Sequence, residues 1–330
     1  MGEHIPLVRR SMEGPDGERL LVREVVRIAL YLPHDHADLA PGVARALDLY
    51  RKAVGEGALA HGWDAEDDGE PFALTDEGWK RVHASLQTRT SVQGLGDVDS
   101  PWTQRMMKLR AEYSWTLTGG GLTPHDGYSL HYQARLPAHR APEGSVSVLS
   151  ATLPTEYLLL HGPGRVRELA MSLADGLPLS SGHAGLALAL FAPRGRVLPL
   201  VRDALARHPG LDVPGIESHQ SLGSSVDGVH WVNFLGPALL DSLGGVSGLR
   251  ARLLSPETTV GEVGDSGTAV VTLGPWPSAG DLMKGDALPS YRELAGVLEP
   301  WLEVFRPHHA LGWRGYTEEE VLRWWRRFLD

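Results

Sequence analysis

Residues 231–245 read Trp231-Val232-Asn233-Phe234-Leu235-Gly236-Pro237-Ala238-Leu239-Leu240-Asp241-Ser242-Leu243-Gly244-Gly245, an aromatic, strand-like run that passes through Gly-Pro into a short apolar helix. Val232 and Phe234 fall on one side of an extended segment, Pro237 suits a first helical turn, and Gly244-Gly245 closes the last. A strand that feeds straight into a helix is a building unit of a sheet with helices packed against it. Asn233 is the polar member. Its amide is able to read a ligand, but tying down the strand end is the simpler use of an amide at that place.

Outward from this segment the same two periodicities recur. Leu20–Tyr31 is rich in strand formers. Asp38–Val54 reads as a helix capped by Asp38, with Leu39, Val43, Leu47 and Tyr50 as its buried stripe. A second helix fits Thr75–Leu86, with Thr75 as cap and Trp79 and Val82 facing inward. Lys108–Leu117, Tyr128–Leu136 and Ser145–Leu153 read as strands joined through Gly119-Gly120-Gly121 and the turn region 137–144, which suits a curved antiparallel sheet. Gly162-Pro163-Gly164 opens a helix to Ala174, Gly182–Phe191 is a buried strand, and Arg196–Arg207 is helical. Thr268–Leu273 is a late strand, and Tyr291–Val304 is a helix that Pro300 kinks or breaks. Thr317–Phe328 closes the chain, with Thr317 and Glu320 placed as a capping box. The expected fold class is α+β or α/β, a mixed and partly antiparallel sheet with packed helices, its strand order unset. Residues 1–17 are expected to be an N-terminal tail and 18–330 a single domain, with an internal boundary near 137–145 as the alternative.

A chain of 330 residues is long enough to bury a large core. It contains no Cys, which removes disulfides, thiolate nucleophiles and Cys-ligated metals from consideration. Forty-one acidic residues against 31 basic ones give a formal net charge of -10, which disfavours a sequence-wide affinity for nucleic acid and favours a basic protein partner. The N-terminus lacks a secretory pattern and no run reaches membrane-spanning length, so the cytoplasm is the expected location.

No pattern specifies catalysis. The zinc-protease His-Glu-x-x-His phrase, the phosphate-binding Gly-x-x-x-x-Gly-Lys-Ser/Thr phrase and the Gly-x-Ser-x-Gly elbow are all absent. His34-Asp35-His36-Ala37-Asp38 is dense in metal-ligating types but lacks a converging ligand, and Asp38 reads as a cap. Ser180, Ser181 and His183 read as a polar turn before a strand. No catalytic residue, metal or cofactor is therefore assigned. His230, Trp231 and Asn233 bracket a small-ligand alternative, although strict alternation would turn His230 away from the other two. Carboxylates are densest at Asp64, Glu66, Asp67, Asp68, Glu70, Asp76 and Glu77, beside the aromatics Trp63, Phe72 and Trp79. Charge next to apolar anchors suits a protein-binding surface, while plain solvation is the simpler use of the charge.

At Gly182-His183-Ala184-Gly185, at Trp231–Gly245, and at Val270-Val271-Thr272-Leu273-Gly274, the chain resembles a bacterial type VI secretion immunity family formerly known as a domain of unknown function. The resemblance extends over residues 18–310. It implies a cytoplasmic antitoxin that binds and neutralises a cognate effector encoded beside it, often a nuclease, with no direct contact to nucleic acid or membrane and with homo-oligomerisation left open. Trp231, Asn233, Gly236, Pro237, Gly244 and Gly245 would then shape the core, and the ten residues of the acidic-aromatic segment are the candidate partner contacts. The alternative is a small-ligand enzyme with a cleft near His183 and His230; a third reading docks Trp324, Trp325, Phe328 and Leu329 against another subunit.

Overall fold

The computed structural model describes residues 5–14, 17–64, 70–87, 112–120, 126–135, 144–214, 222–310 and 312–330. Its strands are β1 (Arg10–Gly14), β2 (Gly17–Leu32), β3 (His61–Asp64), β4 (Phe72–Ala73), β5 (Glu112–Thr118), β6 (Ser129–Arg135), β7 (Ser147–Pro154), β8 (Ser181–Leu190), β9 (Val232–Leu235), β10 (Thr258–Val263) and β11 (Thr268–Leu273). The principal helices are α1 (His36–Val54), α2 (Asp76–Gln87), α3 (Thr155–Ala174), α4 (Pro237–Ser242), α5 (Gly245–Arg252), α6 (Pro289–Leu298) and α7 (Glu318–Trp325). Ten of these strands follow one another in an antiparallel sheet in the order β10-β11-β9-β8-β2-β7-β6-β5-β3-β4, and β1 pairs with β2 off this path. This is the mixed α+β class expected.

The sheet has two unlike faces, and register assigns every side chain to one of them. Val26, Ile28 and Leu30 of β2 lie beside Leu186 and Ala184 of β8 and Leu153, Ala151 and Leu149 of β7, and pack with the α1 and α3 stripes into the main core. The opposite face carries Arg27, Ala29 and Tyr31 of β2, His183 of β8, Asn233 of β9, and Ser150 and Thr152 of β7. Over β6 the alternation is regular, Leu130, Tyr132 and Ala134 being buried while Ser129, His131, Gln133 and Arg135 are half-buried on the second face. A sheet with one apolar and one polar face has its core on one side only. Along β8 and β9 the second face is instead covered by the segment around Asp212, which bridges to Ala187, and by the C-terminal residues.

Several elements depart from the sequence reading. Helix α1 begins at His36, so Asp38 sits in its first turn and Asp35 precedes it. The Asp35 carboxylate turns to Arg135 Nε at 3.0 Å, and His36 is buried with Nδ1 3.2 Å from the Tyr132 hydroxyl, which scatters the metal-ligand types of that segment. Helix α3 begins at Thr155 and is broken at Gly162 (φ 77°), where the sequence placed its start. Part of the expected N-terminal tail is strand β1, which shares one edge of β2 with β7. It is tied down by Glu24, a buried carboxylate that accepts from Val8 N at 3.1 Å, Arg9 Nε at 3.0 Å and Thr155 Oγ1 at 3.3 Å. Residues 108–111 of the expected β5 and residues 136–143 around the candidate boundary lie outside the described residues. No helix among the described residues is long and apolar enough to cross a membrane.

At Gly236 the strand-to-helix turn presses on the preceding loop. Gly236 N donates to Ser180 O at 3.0 Å, and a Cβ there would meet the Leu179 and Ser180 carbonyl oxygens at 2.2 and 2.6 Å. Backbone atoms on both sides leave nothing to yield. Gly236→Ala is expected to lower stability by about 1–3 kcal/mol through overpacking, seen as a shifted urea midpoint with an unchanged slope. Pro237 occupies the first turn of α4, and Gly244 (φ 83°) and Gly245 (φ 73°) make the left-handed exit.

Candidate functional site

The second face of the sheet carries a buried polar cluster at its centre. Arg27 projects from β2 and donates from Nε to Ser150 Oγ at 3.2 Å, while Nη1 lies 3.3 Å from His183 Nε2 and 3.4 Å from Asp212 Oδ2. Arg327, just beyond α7, approaches the other Asp212 oxygen at 3.8 Å and donates from Nε to the Pro209 carbonyl at 2.7 Å. His230 stacks on His183 with ring centroids 3.6 Å apart and an interplanar angle of 17°. Tyr31 donates a short hydrogen bond to Asp227. Residues far apart in sequence thus converge because β2, β8 and β9 are sheet neighbours and the C-terminal segment folds over them.

Strict alternation would point His230 away from Asn233. The structure brings them together because β9 begins only at Val232, leaving Trp231 in a bend. The Asn233 amide closes that bend, accepting from His230 N at 2.8 Å and donating to His230 O at 2.7 Å. Trp231 is buried and its indole donates to Gly274 O at 3.0 Å. Asn233→Ala leaves two buried backbone groups without partners, and an unsatisfied buried group costs about 1–3 kcal/mol. The expected loss of roughly 2–4 kcal/mol is measurable by chemical denaturation.

Electrostatics separate the members. Burial, reinforced by the facing ring and by Arg27, holds the His183 imidazole well below its ordinary range; burial takes His230 down to about 4. Both rings are therefore neutral near pH 7. Burial alone would raise Asp212, but the guanidiniums of Arg27, Arg327 and Arg194 hold it below the usual carboxylate value. Asp227 is pushed up to about 6 by burial and by the neighbouring charges of Asp212 and Glu303. Ligand atoms of His183, Asp212 and His230 all lie within 4.8 Å of one another, a spacing that would suit a cation. The chemistry around them does not fit one. The Arg27 guanidinium already lies between His183 and Asp212, and Arg327 adds a second positive charge on the same carboxylate. Ser181 Oγ donates to Ser225 O at 3.0 Å and Ser180 Oγ to Tyr31 O at 3.2 Å, so neither hydroxyl is paired with His183.

Beside the cluster the second face opens into a groove of about 560 Å³ between β5–β7 and the turn at Phe191–Arg194. One wall carries polar pairs, Thr116 Oγ1 lying 2.8 Å from His131 Nδ1 and Ser129 Oγ 2.7 Å from Thr152 Oγ1, while Val25, Val148, Leu188, Leu190 and Phe191 make much of the remaining lining apolar. Trp63 of β3 pairs with Thr116 of β5 and so lies on the same face, half-buried.

The candidate partner contacts are distributed differently from what their sequence proximity suggests. Glu70, Asp76 and Glu77 are exposed. Trp79 is buried beneath Arg51, whose guanidinium carbon lies 4.3 Å from the ring centroid, and Arg81 covers Phe72 at 4.2 Å. Trp79 is thus packed within the chain, while Trp63 and Phe72 are both half-buried. Asp64 is the last residue of β3, and Glu66, Asp67 and Asp68 lie outside the described residues. The C-terminal aromatics also pack internally: Trp325 stacks on His309 at 4.4 Å and donates to Glu303 O at 2.9 Å, and Phe328 packs on Tyr291 at 5.5 Å.

Among the described residues the second face of the antiparallel sheet thus combines a buried charge cluster with an adjoining groove, which Arg27 and Tyr31 also line. The chain belongs to the TsiV family, described as type VI immunity for VRR-NUC, whose model matches residues 42–328. Among solved structures, the Pseudomonas aeruginosa T6SS protein PA0821 has the same fold, with a TM-score of 0.69 at 18% identity over 98% of this chain and 88% of that one. No curated protein sequence matches the chain.

Proposed function

We propose that residues 18–330 act as one cytoplasmic antitoxin unit that binds a VRR-NUC effector and abolishes its nuclease activity by occlusion. The observation that carries this reading is the family match over residues 42–328, whose description names both the immunity role and the nuclease class. The net charge of -10 supports attraction to a basic nuclease, and association between complementary charges is steered and fast. Glu70, Asp76 and Glu77 are exposed and Trp63 is half-buried, and these four form the proposed edge of the contact; Asp64, Glu66, Asp67 and Asp68 belong to the same proposed segment by sequence.

Co-expression of the chain with a VRR-NUC effector encoded beside it is expected to restore growth and keep chromosomal DNA intact. Undiminished killing with both proteins present at equal levels would rule the reading out. Replacing Glu70, Asp76 and Glu77 together by Lys is expected to lower the association rate by at least about tenfold at low salt, with a smaller effect at high salt, because steering is screened. An unchanged rate, followed by stopped-flow fluorescence, would remove this segment from the interface.

A further inference from the structure

The groove beside the buried cluster contains a guanidinium that makes no ion pair with any of the described residues. Arg194 lines it together with Arg27 and Tyr31. Among the described residues its Nη2 donates to Val213 O at a long 3.4 Å, and its buried Nε meets no acceptor. Every other buried arginine of the cluster has a carboxylate: Arg27 and Arg327 share Asp212. Arg194 instead rests on the Trp313 ring, its guanidinium carbon 5.1 Å from the centroid, and its stem lies against the backbone at Gly312. Such a cation is held in place and under-satisfied, which calls for an acceptor that arrives from outside.

Local charge favours an anion. Three guanidiniums, from Arg27, Arg194 and Arg327, stand against Asp212 and Asp227, and the nearby Glu303 is engaged by His309 at 3.3 Å. Burial, opposed by the charges of Asp212 and Asp227 and helped by Arg27, brings Arg194 down to about 10, so it stays charged near pH 7. The groove, at about 560 Å³, is on the scale of a few side chains and not of a duplex, and the acidic chain as a whole repels polyanions. Its wall offers hydroxyl and imidazole groups at Thr116, His131, Ser150 and Thr152, able to complete the bonds of a second carboxylate oxygen.

We propose that this groove receives an Asp or Glu side chain of the effector, with Arg194 as its ion-pair partner and Trp63 at the rim of the same contact. The assignment rests on the antitoxin reading and adds the chemistry of the partner at one defined position. It also makes a prediction opposite in sign to bulk electrostatics. If binding depended only on an acidic chain attracting a basic nuclease, removing any arginine would strengthen it.

The test is the affinity of purified, nuclease-inactivated VRR-NUC effector for the full chain, measured by titration calorimetry for wild type, Arg194→Gln, Arg194→Lys and Arg167→Gln. Arg167 is exposed on α3, on the helix-covered side, and its substitution changes the net charge equally. Arg194→Gln is expected to weaken binding roughly 30-fold or more, as for loss of one partner of a buried charge pair. Arg194→Lys is expected to lose about tenfold, keeping the charge but not the planar fork, and it carries the test should the Gln variant fail to fold. Arg167→Gln should stay within about twofold of wild type or bind more tightly. Wild-type affinity in Arg194→Gln, or an equal loss in Arg167→Gln, overturns the groove assignment while leaving the antitoxin reading intact. Failure of wild type to bind at all overturns both. Sodium acetate or phosphate that binds the free chain saturably through Arg194, with effector affinity unchanged in Arg194→Gln, overturns it in favour of a free anion.

Discussion

Asp212→Ala is expected to destabilise the protein by about 3–5 kcal/mol, the range for removing one member of a buried ionic group and leaving the rest uncompensated. Asp212 is the carboxylate on which Arg27 and Arg327 converge, at 3.4 and 3.8 Å, and its side chain is 11% exposed. Without it two guanidiniums face each other across neutral histidines. The backbone of residue 212 is independently fixed, since Asp212 N donates to Leu186 O and Leu188 N donates to Asp212 O, both at 2.9 Å. The effect therefore isolates the side chain. Asp212→Asn keeps the shape and one acceptor but not the charge, and most of the loss should persist. Adding Arg27→Met to Asp212→Leu should recover much of it, because well-packed apolar replacements of a whole buried ionic group are often near neutral. A loss below about 1 kcal/mol for Asp212→Ala, read from urea unfolding, would mean that water compensates the guanidiniums and that the cluster is not sealed.

Stability is expected to fall on acidification in a window set by His183, His230 and Asp227. His230 has its folded value lowered to about 4 from an ordinary 6.5, and His183 is lowered well below 6.5. A lowered histidine means that the unfolded chain takes up a proton, as pH falls through 6.5, that the folded chain refuses. Asp227 works the other way, its folded value of about 6 lying above the ordinary 3.8, so the folded chain takes up a proton first. Between pH 6 and 4 the proton that folded His230 refuses is thus largely offset by the one that folded Asp227 accepts, and the net loss as pH falls follows the lowered His183. Near and below pH 4 Asp212 adds to the loss, since its lowered value makes its contribution present above the unfolded value and lost as pH falls through the folded one. Asp227→Asn removes the opposing proton. Its stability relative to wild type should decline by about 1.4 kcal/mol for each pH unit between 6 and 4, whereas a difference independent of pH would show that Asp227 does not titrate in that window. The groups facing Asp227, namely Tyr31, Arg27, Asp212 and Glu303, are unchanged in the variant.

The parts of the fold legible in sequence are those governed by local periodicity. The α1 stripe of Leu39, Val43, Leu47 and Tyr50 is buried as its spacing requires, and Thr317 with Glu320 forms the capping box at α7. β11 runs from Thr268 to Leu273, all buried, because a central strand covered on both faces reads as an unbroken apolar run. Strands β1, β3, β4 and β10 were not legible. They are short or lie toward the sheet edges, where residues such as Arg10, Glu13, Gly261 and Glu262 are held by backbone pairing and need no apolar alternation. His183, His230 and Asn233 were visible as candidates, but Asp212, Asp227 and Arg327 had no local signal. Their convergence depends on the Asp212 backbone pairing alongside β8 and on the C-terminal docking, and neither leaves a period in the sequence. Arg194 was hidden for the same reason: an arginine beginning a helical turn looks solvated until its groove is built.

The measurement that tests neutralisation by binding most directly is a titration of purified VRR-NUC effector with this chain, following DNA cleavage and complex mass on the same samples. Cleavage should fall in proportion to the chain added and vanish at a fixed stoichiometric ratio. Light scattering should show that the inactive species is a complex of both intact proteins. Full cleavage at saturating chain with no complex would contradict the account, as would loss of cleavage accompanied by covalent change or degradation of the effector.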